Sequence, residues 1–167
     1  PKLDPRYIFI NSGFNLRPTD IQAAIGQNQF KRLDIFKNIR FENRKKIINS
    51  LKKNPRWNNQ FNFINIPKKI SPSYMVFPIM LNPIYKKNKI KFINHIESKG
   101  LETRPIISGS FTNQPSTKLY KLNKKNEKFV GAEEVQNLGF VIGLHTKEID
   151  QTRINFITKT LLSIDDI

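Results

Sequence analysis

Apolar side chains recur at helical spacing along a stretch that begins near residue 20. The members of this stripe are Ile21, Ala24, Ile25, Leu33, Phe36, Ile47, Ile48 and Leu51. Thr19 and Gln22 have the spacing of a capping box, and Pro55 ends the pattern. We therefore predict a helix from about residue 20 to about residue 53. Because such a helix is long for a globular protein, we expect it to cross between two packing units or to break midway.

The rest of the pattern alternates between short apolar runs and shorter helical stripes. Strands are predicted at residues 6–11, 73–81, 101–107 and 140–144. Helices are predicted from the cap Asn88 to Gly100, at 132–138, and from the cap Thr146 onward, and irregular structure at 54–72 and 108–130. Pro78 indicates an edge or a bulge in the second strand. This order predicts an α/β fold in which helices cover one small sheet.

Composition excludes several classes of function. A chain of 167 residues with 38% hydrophobic residues has the size of one domain, or of one domain and part of another. It contains no cysteine, which removes disulfide frameworks, thiolate zinc sites and cysteine nucleophiles. The two histidines, His95 and His145, cannot form a three-histidine site, so no metal site is expected. No apolar run approaches the roughly 18 residues of a membrane span.

The net charge of +16 raises the question of nucleic acid binding. The positive charge is densest between Lys31 and Lys69, a segment that contains 12 lysines and arginines and only two acidic residues. However, 21 of the 29 basic residues are lysines, which lack the planar fork with which arginine recognises bases and phosphates. The arginines are also scattered along the sequence. We interpret the basic stretch as a solvated helix face and keep a basic nucleic-acid-binding module as an alternative of another class.

Residues 12–19 combine turn residues with polar side chains just before the long predicted helix. Free backbone N–H groups at a helix N-terminus attract an anion. Asn15 adds an amide and Arg17 a guanidinium, and both groups bind phosphate or carboxylate well. From spacing alone, a plain capping turn with a surface arginine is the favoured interpretation of this stretch, and an anion site is the alternative.

Two later stretches have a similar character. Residues 102–115 lead from a predicted strand that contains Arg104 into a loop rich in hydroxyls and amides, a pattern suited to a polyhydroxylated or phosphorylated ligand or simply to solvent. Residues 139–146 join a predicted strand to a helix. His145 in this junction is interpreted as a surface residue because no acidic orienting partner is evident.

Residues 12–26, SGFNLRPTDIQAAIG, resemble the SGYNxRxxxIQAAIG segment of the DegT/DnrJ/StrS sugar aminotransferases, and residues 29–34, QFKRLD, resemble its continuation. Residues 100–105, GLETRP, and residues 140–145, FVIGLH, are similar to two later segments of the same family. These four landmarks occur in the family's order and cover nearly the whole chain. The resemblance implies an enzyme that depends on pyridoxal 5′-phosphate (PLP) and has aminotransferase fold type I.

In that family the four landmarks belong to the C-terminal part of a longer chain. The resemblance implies that residues 1–26 end the large PLP-binding domain, that 27–53 form a connecting helix, and that 54–167 form the small C-terminal α/β domain. The lysine that carries PLP would then lie upstream of Pro1. Since the chain also has no initiator methionine, we expect a fragment that is inactive alone and contains no catalytic residue.

The resemblance also implies roles for individual residues. Asn15, and beside it Arg17, would contact the PLP phosphate of the partner subunit in a homodimer. Phe14 replaces the family's usual tyrosine, so a hydroxyl contact is lost there. Arg104, Ser108 and Gln114 would contribute to the sugar pocket. The resemblance implies no metal ion in the reaction.

The activity implied is that of a cytoplasmic aminotransferase without a membrane span or a nucleic acid partner. It would act on a nucleotide-linked keto sugar in polysaccharide, lipopolysaccharide or deoxysugar biosynthesis, with an amino donor such as glutamate. The loop 108–115 resembles that of the family's nucleotide-sugar 3-dehydratases, although Ser110 replaces the usual asparagine. A 3-dehydratase is therefore the alternative within the family, and a lysine or a histidine at the upstream cofactor position would distinguish the two. A degenerate, non-catalytic remnant is a third possibility.

Overall fold

A computed structural model describes residues 3–15, 17–121 and 128–167. Its α-helices are α1 (Asp20–Phe30), α2 (Leu33–Lys53), α3 (Lys89–Ser98), α4 (Pro115–Leu119), α5 (Val130–Leu138) and α6 (Gln151–Leu162). Its strands are β1 (Phe61–Asn62), β2 (Val76–Leu81), β3 (Thr103–Arg104) and β4 (Gly139–Gly143). Short 3₁₀ turns connect several of these elements. The predicted α/β fold with one small sheet is confirmed.

The sheet is antiparallel and has the strand order β1-β2-β4-β3. In the central pair, Phe77 lies opposite Ile142 and Ile79 lies opposite Phe140. Because opposed residues share a face and successive residues alternate, these four side chains lie on one face of the sheet. The alternate positions, including Pro78, lie on the other.

Helices α2, α3 and α6 pack on the first face and close the core. Ile47 of α2, Phe92 of α3 and Leu161 of α6 are buried against it. The ring of Phe92 lies 6.1 Å from that of Phe61 and 6.0 Å from that of Phe140, so aromatic contacts join α3 to both β1 and β4.

The second face of the sheet meets the loop after β3 and the end of α5. A Cβ atom added to Gly139 would lie 2.6 Å from both Ile106 Cδ1 and the Val135 carbonyl oxygen. Only glycine allows this close approach at the start of β4. The loop is thereby held over one end of the sheet, where the cavity described below opens.

The long predicted helix is broken midway, as expected, at Lys31 and Arg32 between α1 and α2. Both halves of the capping box are formed, because Gln22 N donates to Thr19 Oγ1 at 3.4 Å and Thr19 N donates to Gln22 Oε1 at 2.8 Å. All residues of α1 are described and none is buried, whereas α2 buries one face, and its first buried residue is Asn43. Burial thus begins well inside the second helix.

The predicted strand at 6–11 is wrong. Asp4 caps a 3₁₀ turn at Pro5–Tyr7 by accepting a hydrogen bond from Arg6 N at 2.9 Å. Phe9, which follows, bonds to Gln114 and Ser116 of the distant loop and not to a strand. A β-branched and aromatic run does not form a strand without a neighbouring strand to pair with.

Two other predicted boundaries are wrong, one at the start of the final helix and one at the ends of the third predicted strand. The final helix is capped by Asp150, which accepts from Arg153 N at 2.8 Å, and not by Thr146. The strand predicted at 101–107 contains only the two residues of β3, because the chain turns at Ile107 with a φ of 46°. The predicted C′ glycine, Gly100, is confirmed with a φ of 92°.

Smaller differences concern caps and loops. Asn88 precedes α3 but makes no capping hydrogen bond with its side chain, whereas Asn82 caps the 3₁₀ turn before it by accepting from Ile84 N.

The predicted loop 54–72 contains β1. Pro78 lies in the interior strand β2 and not in an edge strand as predicted; it is opposite Val141 of β4, and β1 pairs only with Met80 and Leu81, so Pro78 has a neighbouring strand on one side only. Within the predicted irregular segment 108–130 the chain forms α4, and residues 122–127 lie outside the described residues.

Candidate functional site

A cavity of about 600 Å³ lies between the N-terminal segment, α3, the loop after β3 and the end of α5. Arg104, Ser108 and Gln114, the three predicted sugar-pocket residues, all line it. Apolar side chains, among them Ile93 and Phe140, form part of its wall. Its volume and its mixture of apolar walls with a few polar groups are typical of small-molecule sites.

The loop on one side of the cavity is held by Gln136 of α5. Gln136 Oε1 accepts hydrogen bonds from Ser110 N at 3.2 Å and from Asn113 Nδ2 at 3.0 Å. A Cβ atom at Gly109 would lie 2.6 Å from Gln136 Cβ, and Gly109 also has a φ of 60°. Both facts require glycine at this position. Ser108, partly exposed on this rigid loop, is fixed at the edge of the cavity.

Of the three predicted sugar-pocket residues, Gln114 is the one that is buried. It is 1% exposed, and its Oε1 accepts from Phe9 N at 2.9 Å while its Nε2 donates to the Tyr7 carbonyl at 3.0 Å. Both ends of the amide are therefore bonded to backbone. Gln114 holds the N-terminal segment against the loop and so shapes the cavity wall.

Arg104 lies at the exposed rim of the cavity. Its Nη2 donates to Glu102 Oε1 at 3.2 Å, and this carboxylate, together with the Tyr7 hydroxyl, raises the pKa of Arg104. The guanidinium is therefore a permanent positive charge at the entrance. An exposed pair of this kind leaves the arginine free to exchange its partner for an anionic ligand.

An ionic network that sequence reasoning missed lines the same cavity. Arg6 contacts Asp4 at 2.9 Å and Glu97 at 3.6 Å, and Thr103 Oγ1 donates to Glu97 at 2.5 Å. The hydrogen bond from Arg6 is the main cause that lowers the pKa of Asp4. No local motif contains these residues, because Arg6 and Thr103 are brought together only by the fold.

Lys89, the first residue of α3, is a second group that the sequence did not single out. Its Nζ donates to the Gln136 carbonyl at 2.7 Å. Burial lowers its pKa to about 8, and the attraction of Asp4 only partly opposes this effect. Among the described residues no carboxylate lies within ion-pair distance of this ammonium group.

The predicted phosphate turn lies apart from the residues that line the cavity. Asn15 has a φ of 53°, a left-handed conformation that asparagine tolerates, and both Asn15 and Arg17 are exposed. Leu16 between them lies outside the described residues. The free N–H groups in the first turn of α1 follow directly, although that of Gln22 is already bonded to Thr19. All these groups are donors, as an anion site requires.

The basic stretch has intramolecular partners along its length. Arg44 is 8% exposed, stacks 4.9 Å above the ring of Tyr74 and donates to the Ile64 carbonyl. Arg56 pairs with Asp166 at 2.7 Å and Lys46 with Glu148 at 3.5 Å. Arg44 is buried and so is not part of a solvated face, whereas Lys46 and Arg56 form ion pairs at the surface. These contacts use several cations that a nucleic acid surface would need.

Several other predictions concern absences or the surface. His145 is exposed, as predicted, and its carbonyl accepts from Asn43 Nδ2 at 3.1 Å. Over the described ranges no group of three His, Asp or Glu side chains could hold a metal ion. No helix among the described residues is both long and apolar enough to cross a membrane.

Comparison with known proteins gives a match over almost the entire chain. The model of the DegT/DnrJ/EryC1/StrS aminotransferase family matches residues 2–160. The lipopolysaccharide biosynthesis protein RfbH of Salmonella typhimurium is 28% identical over 85% of this chain and 32% of its own length. GDP-4-keto-6-deoxy-D-mannose 3-dehydratase of Escherichia coli is 22% identical over 89% of this chain and 37% of its own length. This chain thus spans about a third of the length of these relatives.

Solved structures have the same fold. E. coli GDP-4-keto-6-deoxy-D-mannose-3-dehydratase with bound hydrated PLP superimposes with a TM-score of 0.70 at 23% identity, covering 93% of this chain and 38% of its own. The Helicobacter pylori aminotransferase PseC, involved in the biosynthesis of pseudoaminic acid, superimposes with a TM-score of 0.72 at 18% identity. The superposition covers 92% of this chain and 39% of PseC.

Proposed function

This chain belongs to the DegT/DnrJ/EryC1/StrS aminotransferase family, and from that premise we propose that it is the C-terminal part of a PLP enzyme that acts on a nucleotide-linked keto sugar. The observation that carries the proposal is the family match over residues 2–160. The cavity supports it, because Arg104 and Ser108 lie on its wall with space for a small ligand. We propose that the large domain ends with residues 1–26 and that the small domain is formed by residues 54–167. A helical segment, residues 27–53, would connect the two domains.

The turn around Asn15 fits the phosphate group of PLP. Among the described residues neither Asn15 nor Arg17 has a side-chain bonding partner, and both are exposed donors beside the N-terminus of α1. We propose that they hold this phosphate, from across a homodimer interface, and that the lysine or histidine facing the cofactor lies upstream of Pro1. When bound, PLP supplies an electron sink for the bond changes at the sugar.

Sequence relatives favour 3-dehydration as the reaction. Three of them are named as 3-dehydratases of keto sugars carried on GDP or dTDP. Amino transfer is the second candidate, supported by the likeness in fold to the aminotransferase PseC, with a TM-score of 0.72. Glutamate is the proposed amino donor, and a solved relative has a trapped PLP–glutamate adduct.

In either reaction the residues of this chain bind and orient the substrate. Arg104 would attract the negative charge of the nucleotide part at the cavity entrance, and Ser108 would hydrogen-bond a sugar hydroxyl. Gln114 would act indirectly, by holding the segment that contains Tyr7 and Phe9 in place. The loop and α5 would exclude water from the bound sugar.

Cofactor binding by the intact protein, including its upstream domain, tests the proposal. Asn15→Gly removes the amide while allowing the left-handed backbone, and we expect about tenfold weaker PLP binding from the loss of a hydrogen bond to a charged group. Asn59→Gly is the matched control, because Asn59 has a φ of 56° and lies far along the chain in the small domain. Equal PLP affinity of Asn15→Gly and the parent would contradict the role of Asn15. Failure of the parent to retain PLP would contradict the function.

A further inference from the structure

The charged groups that line the cavity are unevenly paired. Its cations are Arg6, Lys86, Lys89 and Arg104, and its carboxylates are Asp4 and Glu97. Arg6 contacts both carboxylates, and Arg104 is paired with Glu102 outside the cavity. Glu97 also accepts from Thr103. Both acids of the cavity thus contact Arg6, and among the described residues Lys89 has no carboxylate within ion-pair distance, although Asp4 attracts it from further away.

The position of Lys89 is unfavourable for a charged group. Its ammonium has three N–H donors, and the Gln136 carbonyl accepts one of them. Ile90 and Ile93 of the same helix also line the cavity, so the surroundings are partly apolar. A half-buried ammonium group with one neutral hydrogen-bond partner is solvated less well than in water. A negatively charged ligand in the cavity would supply partners for its remaining N–H groups.

We propose that Lys89 binds a phosphate group of the ligand in this cavity. The two remaining N–H groups of its ammonium are donors for phosphate oxygens, and Arg104 at the rim is a second cation of the same cavity. The natural source of the phosphate, the diphosphate of a nucleotide-linked sugar, rests on the proposed function. Binding of the phosphate group itself does not. This site is separate from the turn of Asn15 and Arg17, which does not line the cavity.

The charge of Lys89 gives the site a pH dependence. The titratable or charged groups that line the cavity with it are Asp4, Arg6 and Tyr7 of the N-terminal segment, Lys86 of the preceding turn, Glu97 of α3 and Arg104 of β3; α5 contributes the neutral Gln136 and Asn137. Lys89 has a pKa of about 8, against an ordinary value of 10.5. It loses its proton as the pH rises through 8, while the arginines stay charged. Anion binding should therefore weaken above that pH.

Titration of inorganic pyrophosphate into the full chain, followed by calorimetry, tests the proposal. We expect Lys89→Met to weaken binding about tenfold or more, because a charge-assisted contact is lost. Lys87→Met is the matched control, since Lys87 is exposed two residues earlier and does not line the cavity. Lys89→Arg should retain most of the affinity. Equal affinity of Lys89→Met and Lys87→Met, or no binding by the parent chain, would overturn the proposal.

Two further measurements keep the test decisive. Sulfate, whose charge is constant between about pH 6 and about pH 9.5, should bind more weakly at the higher pH in the parent but not in Lys89→Arg. If Lys89→Met does not fold, the Lys89 side-chain resonance, assigned by its loss in Lys89→Arg, must shift on addition of pyrophosphate, and an unshifted signal overturns the proposal. Turnover by the intact enzyme with KM unchanged in Lys89→Met would reject this site while leaving the proposed function intact.

Discussion

Helices α1 and α6 are of nearly equal length but differ in their surroundings. α1 has 11 residues and buries none, so Ile21 and Phe30 are each 74% exposed. α6 has 12 residues and buries Ile154, Leu161 and Leu162 in the core. Both begin with a side-chain cap that bonds a backbone N–H group. The N-terminal caps of α1 and α6 are therefore alike, but α6 is clearly amphipathic and α1 is not, and only α6 packs against the core.

This contrast separates a part of the chain that forms its own core from a part that does not. Helices α2, α3 and α6 enclose one face of the sheet, whereas the apolar side chains of α1 lack such a partner among the described residues. An exposed apolar helix is typical of a surface that belongs against another domain or subunit. The proposed division at residue 26, with a large domain upstream and a homodimer, accounts for it.

Core truncation should give the largest difference between the two regions. Leu161 is fully buried, and Leu161→Ala should lower the free energy of unfolding by about 2–5 kcal/mol. Ile25 is 58% exposed in α1, and Ile25→Ala should leave it within about 0.5 kcal/mol of the parent. Urea unfolding of the chain, followed by tryptophan fluorescence from Trp57, measures both. Similar losses in the two variants would break the comparison and place α1 within the cooperative core.

Removing the caps should give a smaller difference. Asp150→Ala removes the cap of α6 and should lower the free energy of unfolding by about 1 kcal/mol. Thr19→Ala removes the equivalent cap of α1. It should destabilise the helical state of α1 by about 1 kcal/mol without changing the free energy of unfolding of the core. Amide hydrogen exchange would then accelerate in α1 while the urea midpoint of the chain stays unchanged. A lowered midpoint in Thr19→Ala would mean that α1 unfolds together with the core.

Features that depend on neighbouring residues were predicted well from the sequence. The capping box at Thr19 and the C′ glycine Gly100 both require only the local chain, and both are present. The midway break of the long helix was also anticipated, although no single residue marks its position. The wrong cap at Thr146 shows the limit of such signals, because Asp150 is four residues further on and competes for the same role.

Features that depend on distant residues were largely missed. β1 was missed because it has only two residues and exists because β2 pairs with it, and β3, also two residues long, is much shorter than the strand predicted at 101–107. The cavity depends on Arg6 meeting Thr103 and on Lys89 meeting Gln136, contacts that join distant segments. The bonds of the Gln114 side chain to Tyr7 and Phe9 also join distant segments, so the sequence did not reveal them. Arg104 and Ser108, which the resemblance singled out, line the cavity, and their role in sugar binding stays a prediction.

The product formed by the intact enzyme tests the central claim most directly. The protein with its upstream domain would be incubated with PLP, glutamate and a nucleotide-linked 4-keto-6-deoxy sugar, and the sugar product identified by mass spectrometry. The account predicts a product that has lost its 3-hydroxyl and kept a keto group, with replacement of the keto group by an amine as the second candidate. A sugar that is unchanged in the presence of bound PLP would contradict the account.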